Sequence, residues 1–112
     1  MIADTYEFGP VSSPVISSLE TVIVQVQVNA SLAGVQVNPT TLTLTYALVS
    51  AAVSPTGSFE SAAWSTQTYA STPAYYAEAT LDSIAIGEYD LWYKIVDGSL
   101  EPVYYAGRIQ SR

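Results

Sequence analysis

Serine, threonine and aspartate are abundant in this chain, but the groups that would turn them into catalysts are missing. Its 112 residues include no histidine and no cysteine. Without an imidazole, a hydroxyl nucleophile lacks its usual base near neutral pH; without a thiol, neither a cysteine nucleophile nor a thiolate metal site can form. A serine–lysine pair would have to use Lys94, the only lysine. Local alternation places that side chain on the outward face of a strand, where it reads as a solvated charge or a guard against strand addition. Glu88 and Asp90 share a face two residues apart, a pairing that glycoside hydrolysis could use but that is ordinary for the wet side of a strand. Asp82, Glu88, Asp90 and Asp97 fall near corners and loops, yet no Asp-x-Asp-x-Asp-Gly run gathers them for calcium. The sequence therefore reads as non-enzymatic, with no catalytic, cofactor-binding or metal-ligating residues.

The aromatic residues are more informative. Nine tyrosines and two tryptophans are many for a core of this size. Alternation turns Tyr76, Trp92 and one of the Tyr104–Tyr105 pair outward, with Tyr104 taken as the candidate. Exposed tryptophan and tyrosine suit a protein-binding face, and a sugar-stacking platform would use the same residues. Tyr6, Phe8 and Val11 join the interface candidates as the apolar part of a Gly-, Pro- and Ser-interrupted segment, residues 1–19. That segment reads either as an extended N-terminal arm that docks on a neighbour or as a first edge strand.

Charge narrows the partners. Lys94, Arg108 and Arg112 face ten carboxylates, for a net charge of −7. Phosphate contacts need clustered basic residues, so nucleic acid is not expected as a partner. No apolar run reaches the ~20 residues of a membrane-spanning helix, and the first residues lack the basic and apolar regions of a signal peptide. No membrane association is expected.

These residues must be positioned by strands, because threonine, valine and tyrosine dominate. Residues 20–29 put Val22, Val24, Val26 and Val28 on one face. Residues 40–49 put Leu42, Leu44, Tyr46 and Leu48 inward and threonines outward. A loop over Ser50–Ser58 is closed by Pro55 and Gly57. Trp64 is expected in the core. Residues 74–82 face Tyr75, Ala77, Ala79 and Leu81 inward. In the segment from Gly87, residues Tyr89, Leu91, Tyr93 and Ile95 point in, Asp97-Gly98 signals a hairpin, and residues 100–110 close the fold. The expectation is an all-β domain over residues 20–112, an antiparallel Greek-key sandwich of about seven strands.

The stretch Leu81-Asp82-Ser83-Ile84-Ala85-Ile86-Gly87-Glu88-Tyr89 resembles the E–F corner of immunoglobulin-like and fibronectin-like domains. That resemblance implies that Tyr89 bonds back to the corner backbone, with Leu91 where immunoglobulins proper have a cysteine. A second resemblance spans most of residues 20–110. It rests on Gly34 followed by Val37-Asn38-Pro39-Thr40-Thr41, a proline–glycine loop, a Tyr-rich strand, Gly-x-Tyr, Asp-Gly and the closing Ala106-Gly107-Arg108-Ile109. This order is similar to short immunoglobulin-like virion proteins of tailed bacteriophages. It implies a structural role, most readily as a capsid decoration protein made in the host cytoplasm and carried on the virion. Its partner would be the major capsid protein or another virion protein, and homo-oligomers on the particle are possible. The alternative is a tail-borne or cell-surface adhesion module that binds glycan.

Overall fold

The computed structural model describes residues 1–55 and 59–112. Among the described residues ten strands follow one another: β1 (Thr5–Val11), β2 (Val15–Ile16), β3 (Thr21–Leu32), β4 (Val35–Val37), β5 (Thr43–Ser50), β6 (Glu60–Ser61), β7 (Ala63–Tyr69), β8 (Thr72–Asp82), β9 (Gly87–Val96) and β10 (Val103–Ser111). They form two sheets. One runs β1-β3-β8-β7, with β4 extending it from β3; the other runs β2-β10-β9-β5-β6. All pairings are antiparallel except that of β2 with β10. Among the described residues no helix is long and apolar enough to cross a membrane.

The core follows the period-two pattern. Val24, Val26 and Val28 of β3 face Ala77 and Ala79 of β8, and the opposite sheet contributes Leu91, Tyr93, Ile95 and Ile109, all without solvent exposure. Each large apolar side chain removed from water in this way contributes about 2 kcal/mol. Tyr93 is the largest of them; its burial, with the charges of Tyr46 and Glu78 adding to it, raises its hydroxyl pKa well above the ordinary range. Trp64 is only partly buried, packed against the core, and its indole N–H donates to the Leu42 carbonyl at 2.9 Å.

Residues 1–19 belong to the fold. β1 pairs with β3 from Thr5↔Ser31 to Val11↔Val26, and β2 lies parallel to the end of β10. Gly9, Pro10 and Pro14, which read in sequence as interruptions, mark a bulge and a crossing: the register shifts between Phe8 and Val11, and the chain passes from one sheet to the other before Val15. Of the two readings of this segment, the structure has the edge strand, divided between the sheets. The division, with the short β4 and β6, brings the count among the described residues to ten instead of about seven.

Two turns fix the ends of β9. At its start the Tyr89 hydroxyl donates to the Ala85 carbonyl at 2.8 Å. At its end Asp97 and Leu100 exchange both backbone bonds around Gly98-Ser99. Gly98, at φ 65°, takes the left-handed position that such a two-residue turn demands. Asp97 itself points inward. Its carboxylate accepts from the backbone N–H of Ile2 at 2.8 and 2.9 Å, from Ala3 at 3.2 Å and from the Tyr6 hydroxyl at 2.6 Å. The Tyr6 bond, backed by these N–H groups and the Met1 ammonium, holds the Asp97 carboxyl below the usual range against the opposing effect of burial. The Ser50–Ser58 loop keeps Pro55 half-buried, whereas Gly57 lies outside the described residues.

Candidate interaction surface

The outer face of the β10-β9-β5 layer carries a connected set of polar and aromatic contacts. Outward residues of β9 are Asp90, Trp92 and Lys94, and Tyr105 of β10 stands directly opposite Trp92. Their rings meet edge to face at 5.2 Å and 63°, a geometry favoured by the ring quadrupoles. Ala47 occupies the place across from Trp92 on β5 and leaves room for the indole. Nearby, Lys94 Nζ lies 4.7 Å from the centre of the Phe59 ring, a cation–π contact.

Asp90 is the hub of this face. Although it points outward it is almost fully buried, beneath Arg108 and Tyr105. Arg108 Nε donates to Oδ1 at 3.0 Å, Tyr105 Oη to Oδ1 at 3.1 Å, and the Ala52 backbone N–H to Oδ2 at 2.8 Å. The Arg108 bond, with the other donors, holds the Asp90 carboxyl below the usual range despite burial, which works the other way. Burial raises the Tyr105 hydroxyl, and its bond to Asp90 raises it further. One indole atom breaks the pattern: Trp92 Nε1 is buried and finds no acceptor among the described residues.

The network depends on a bulge that alternation does not reveal. The register slips between Tyr105 and Gly107. Strict alternation would send Arg108 inward with Tyr104 and Ala106; the extra residue turns it outward beside Tyr105 and sends Ile109 and Ser111 into the interior. Gly107 sits at φ 153°, and a Cβ there would come within 3.2 Å of Val11 Cγ1, so a side chain would press on the crossing segment.

The six sequence-derived candidates do not form one surface. Tyr6 is buried against Asp97. Phe8 lies between the sheets, stacked on Tyr93 at 5.6 Å and on Tyr104 at 5.1 Å. Val11 packs against the core and Gly107. Tyr104 therefore faces in, because its partner across the ladder is the inward Tyr93; Tyr105 is the outward member of the pair. Tyr76 and Trp92 do lie on outer faces, but of opposite sheets. Sequence reasoning missed Tyr105, Arg108 and the hub role of Asp90. The signal available was Gly107 two residues after a tyrosine, a bulge marker inside a strand.

A cleft of about 410 Å³ is lined from both sheets and the corner between them, by Tyr46, Leu48, Phe59, Leu81, Ile84 and Tyr89 among others. At its wall the Tyr46 hydroxyl bonds Glu60 at 2.7 Å. Burial, then that bond, pushes Tyr46 up to about 12. Among the described residues no group of acidic side chains is gathered as a metal site. Comparison of the chain with protein-family models, with curated proteins and with solved structures finds no match in any of the three.

Proposed function

We propose that the chain is an immunoglobulin-like, non-enzymatic structural protein of a bacteriophage virion, acting as a capsid decoration protein. The observation that carries this reading is the strand arrangement. A first strand divided between β1 and β2, the orders β1-β3-β8-β7 and β2-β10-β9-β5-β6, and a corner tyrosine at Tyr89 support a Greek-key, immunoglobulin-like reading of the two-sheet fold. The sequence resemblance to short immunoglobulin-like virion proteins of tailed bacteriophages supplies the virion part of the reading.

The contact surface in this reading is the outer face of β10-β9-β5, with Trp92 and Tyr105 as anchors and the Asp90–Arg108 pair fixing their neighbours. Aromatic and arginine side chains dominate interface hot spots, and many copies on a particle need only modest affinity each. Residues 1–19, being paired in both sheets, support the fold in this reading and are not a free tether.

The test is proteomics of purified particles. Recovery of the protein in many copies per virion is the expected result, and its absence from particles would sink the reading. Trp92→Ala should then release it from particles while the domain stays folded. If the same substitution abolishes binding on a glycan array instead, the face belongs to an adhesion module.

A further inference from the structure

The edges of the two sheets are not treated alike. β2 and β6 are two residues each, too short to template a further strand. β1 is broken by its bulge and by Pro10, which has no N–H. Where β10 runs past β2, it carries the Ala106–Gly107 bulge and the charged Arg108. Beside β6, the Leu44 carbonyl of β5 accepts the Ala62 N–H, and just before β5 the Leu42 carbonyl accepts the Trp64 indole. Short strands, bulges, proline and charge are the devices that stop edges from pairing with other chains.

β7 has none of them. It is seven residues, Ala63-Trp64-Ser65-Thr66-Gln67-Thr68-Tyr69, paired with β8 without a bulge from Ala63↔Glu78 to Tyr69↔Thr72. It contains no proline, glycine or charge. Most of its residues are exposed, and among the described residues its backbone makes no hydrogen bond apart from those to β8.

We propose that β7 is a self-association edge, on which β7 of a second copy adds antiparallel about a two-fold axis at Thr66 to join the two β1-β3-β8-β7 sheets into one. The occupant follows from charge and symmetry. Copies with a net charge of −7 repel one another, so they can approach only along an uncharged strip, and β7 is such a strip. Around the axis Thr66 meets Thr66, Ser65 meets Gln67 and Trp64 meets Thr68. These are neutral pairs with threonine-rich cross-strand contacts of the favourable kind. A two-fold pairing also closes: each β7 covers the other and leaves no further edge to propagate. The proposal stands apart from the virion reading, since it concerns the chain alone in solution.

Sedimentation velocity on the full chain, from about 5 to about 200 µM, tests it in the range where a pairing of modest affinity appears. The expected result is a reversible monomer–dimer equilibrium. Ser65→Lys with Gln67→Lys places lysines opposite lysines on the outer side of the joint, yet brings the net charge from −7 only to −5. Dimerisation should weaken at least about tenfold, although overall repulsion has fallen, and the thermal transition should be unchanged. A wild-type chain that stays monomeric throughout overturns the proposal, as does undiminished association of the folded variant. Should the variant not fold, hydrogen exchange on the wild type decides. Amides of Ala63–Tyr69 should gain protection with concentration, and concentration-independent exchange there overturns the proposal.

Discussion

Asp90 and Asp97 lie seven residues apart on one stretch of chain, so alternation sends them to opposite sides of the same sheet. Both are buried and both are held below the ordinary carboxylate range. Their partners differ in kind. Asp97 collects the backbone N–H groups of Ile2 and Ala3 and one tyrosine, which find no other acceptor among the described residues, and the Ala3 and Tyr6 donors are buried. Asp90 collects an arginine that is half exposed, a tyrosine at the surface and one loop amide. The inner carboxylate closes the fold on itself, whereas the outer one organises a face that solvent or a partner can still reach. Two similar ionisations thus do different work, and what separates them is whether their donors can be rehydrated.

The strongest way to break this comparison is Asp97→Ala. It strands buried donors, so it should give the largest fall in melting temperature of the substitutions considered, together with faster hydrogen exchange at Ile2 and Ala3. A fall no greater than that of Asp90→Ala would erase the distinction. Acid should reveal the two together. A carboxyl lowered in the fold contributes stability in full above its ordinary value of about 3.9, and that contribution is lost as pH falls through the lower folded value. Denaturant midpoints should therefore be flat from neutrality down to about pH 4 and drop below it, with a shallower drop in Asp97→Ala and in Asp90→Ala.

Asp90→Ala itself should cost about 1 kcal/mol, because Arg108 and Tyr105 can turn to water. Its clearer signature is local, a loss of exchange protection at Ala52 without any change at Ile2. A control far from both carboxylates is the β7–β8 turn, where Ala70 and Ser71 hold φ of 48° and 70°. Both occupy a left-handed region that costs ordinary residues about 1 kcal/mol each. Replacing the pair with Asn-Gly should raise stability by about 1 kcal/mol and leave the acid limb where it was.

Much of the fold was legible in the sequence, for a simple reason. Val24, Val26 and Val28, or Leu91, Tyr93 and Ile95, repeat at the strand period, and nothing but a sheet buries such a series on one side. What alternation cannot carry is an extra residue. The bulge at Tyr105–Gly107 reverses the facing of everything after it, so alternation alone does not place Arg108 beside Asp90, and which of Tyr104 and Tyr105 points outward is set by register, Tyr104 lying across from the inward Tyr93. The same blindness affected residues 1–19. Gly9, Pro10 and Pro14 interrupt a strand locally, and only tertiary pairing tells whether the chain leaves the domain or changes sheets. In the sequence Asp97 signals only a turn, because its remote donors at Ile2, Ala3 and Tyr6 have no local signature.

The parallel seam between β2 and β10 has a mechanical meaning. It is closed by the Gln110 N–H to the Pro14 carbonyl at 2.8 Å, Arg112 to Ile16 at 3.0 Å and Ser18 to Arg112 at 2.8 Å. Because the two strands point the same way, tension on β2 from its N-terminal side and on β10 from its C-terminal side slides them past each other. The bonds then bear load together and not one after another, so the seam resists pulling along the strands far better than its short length suggests.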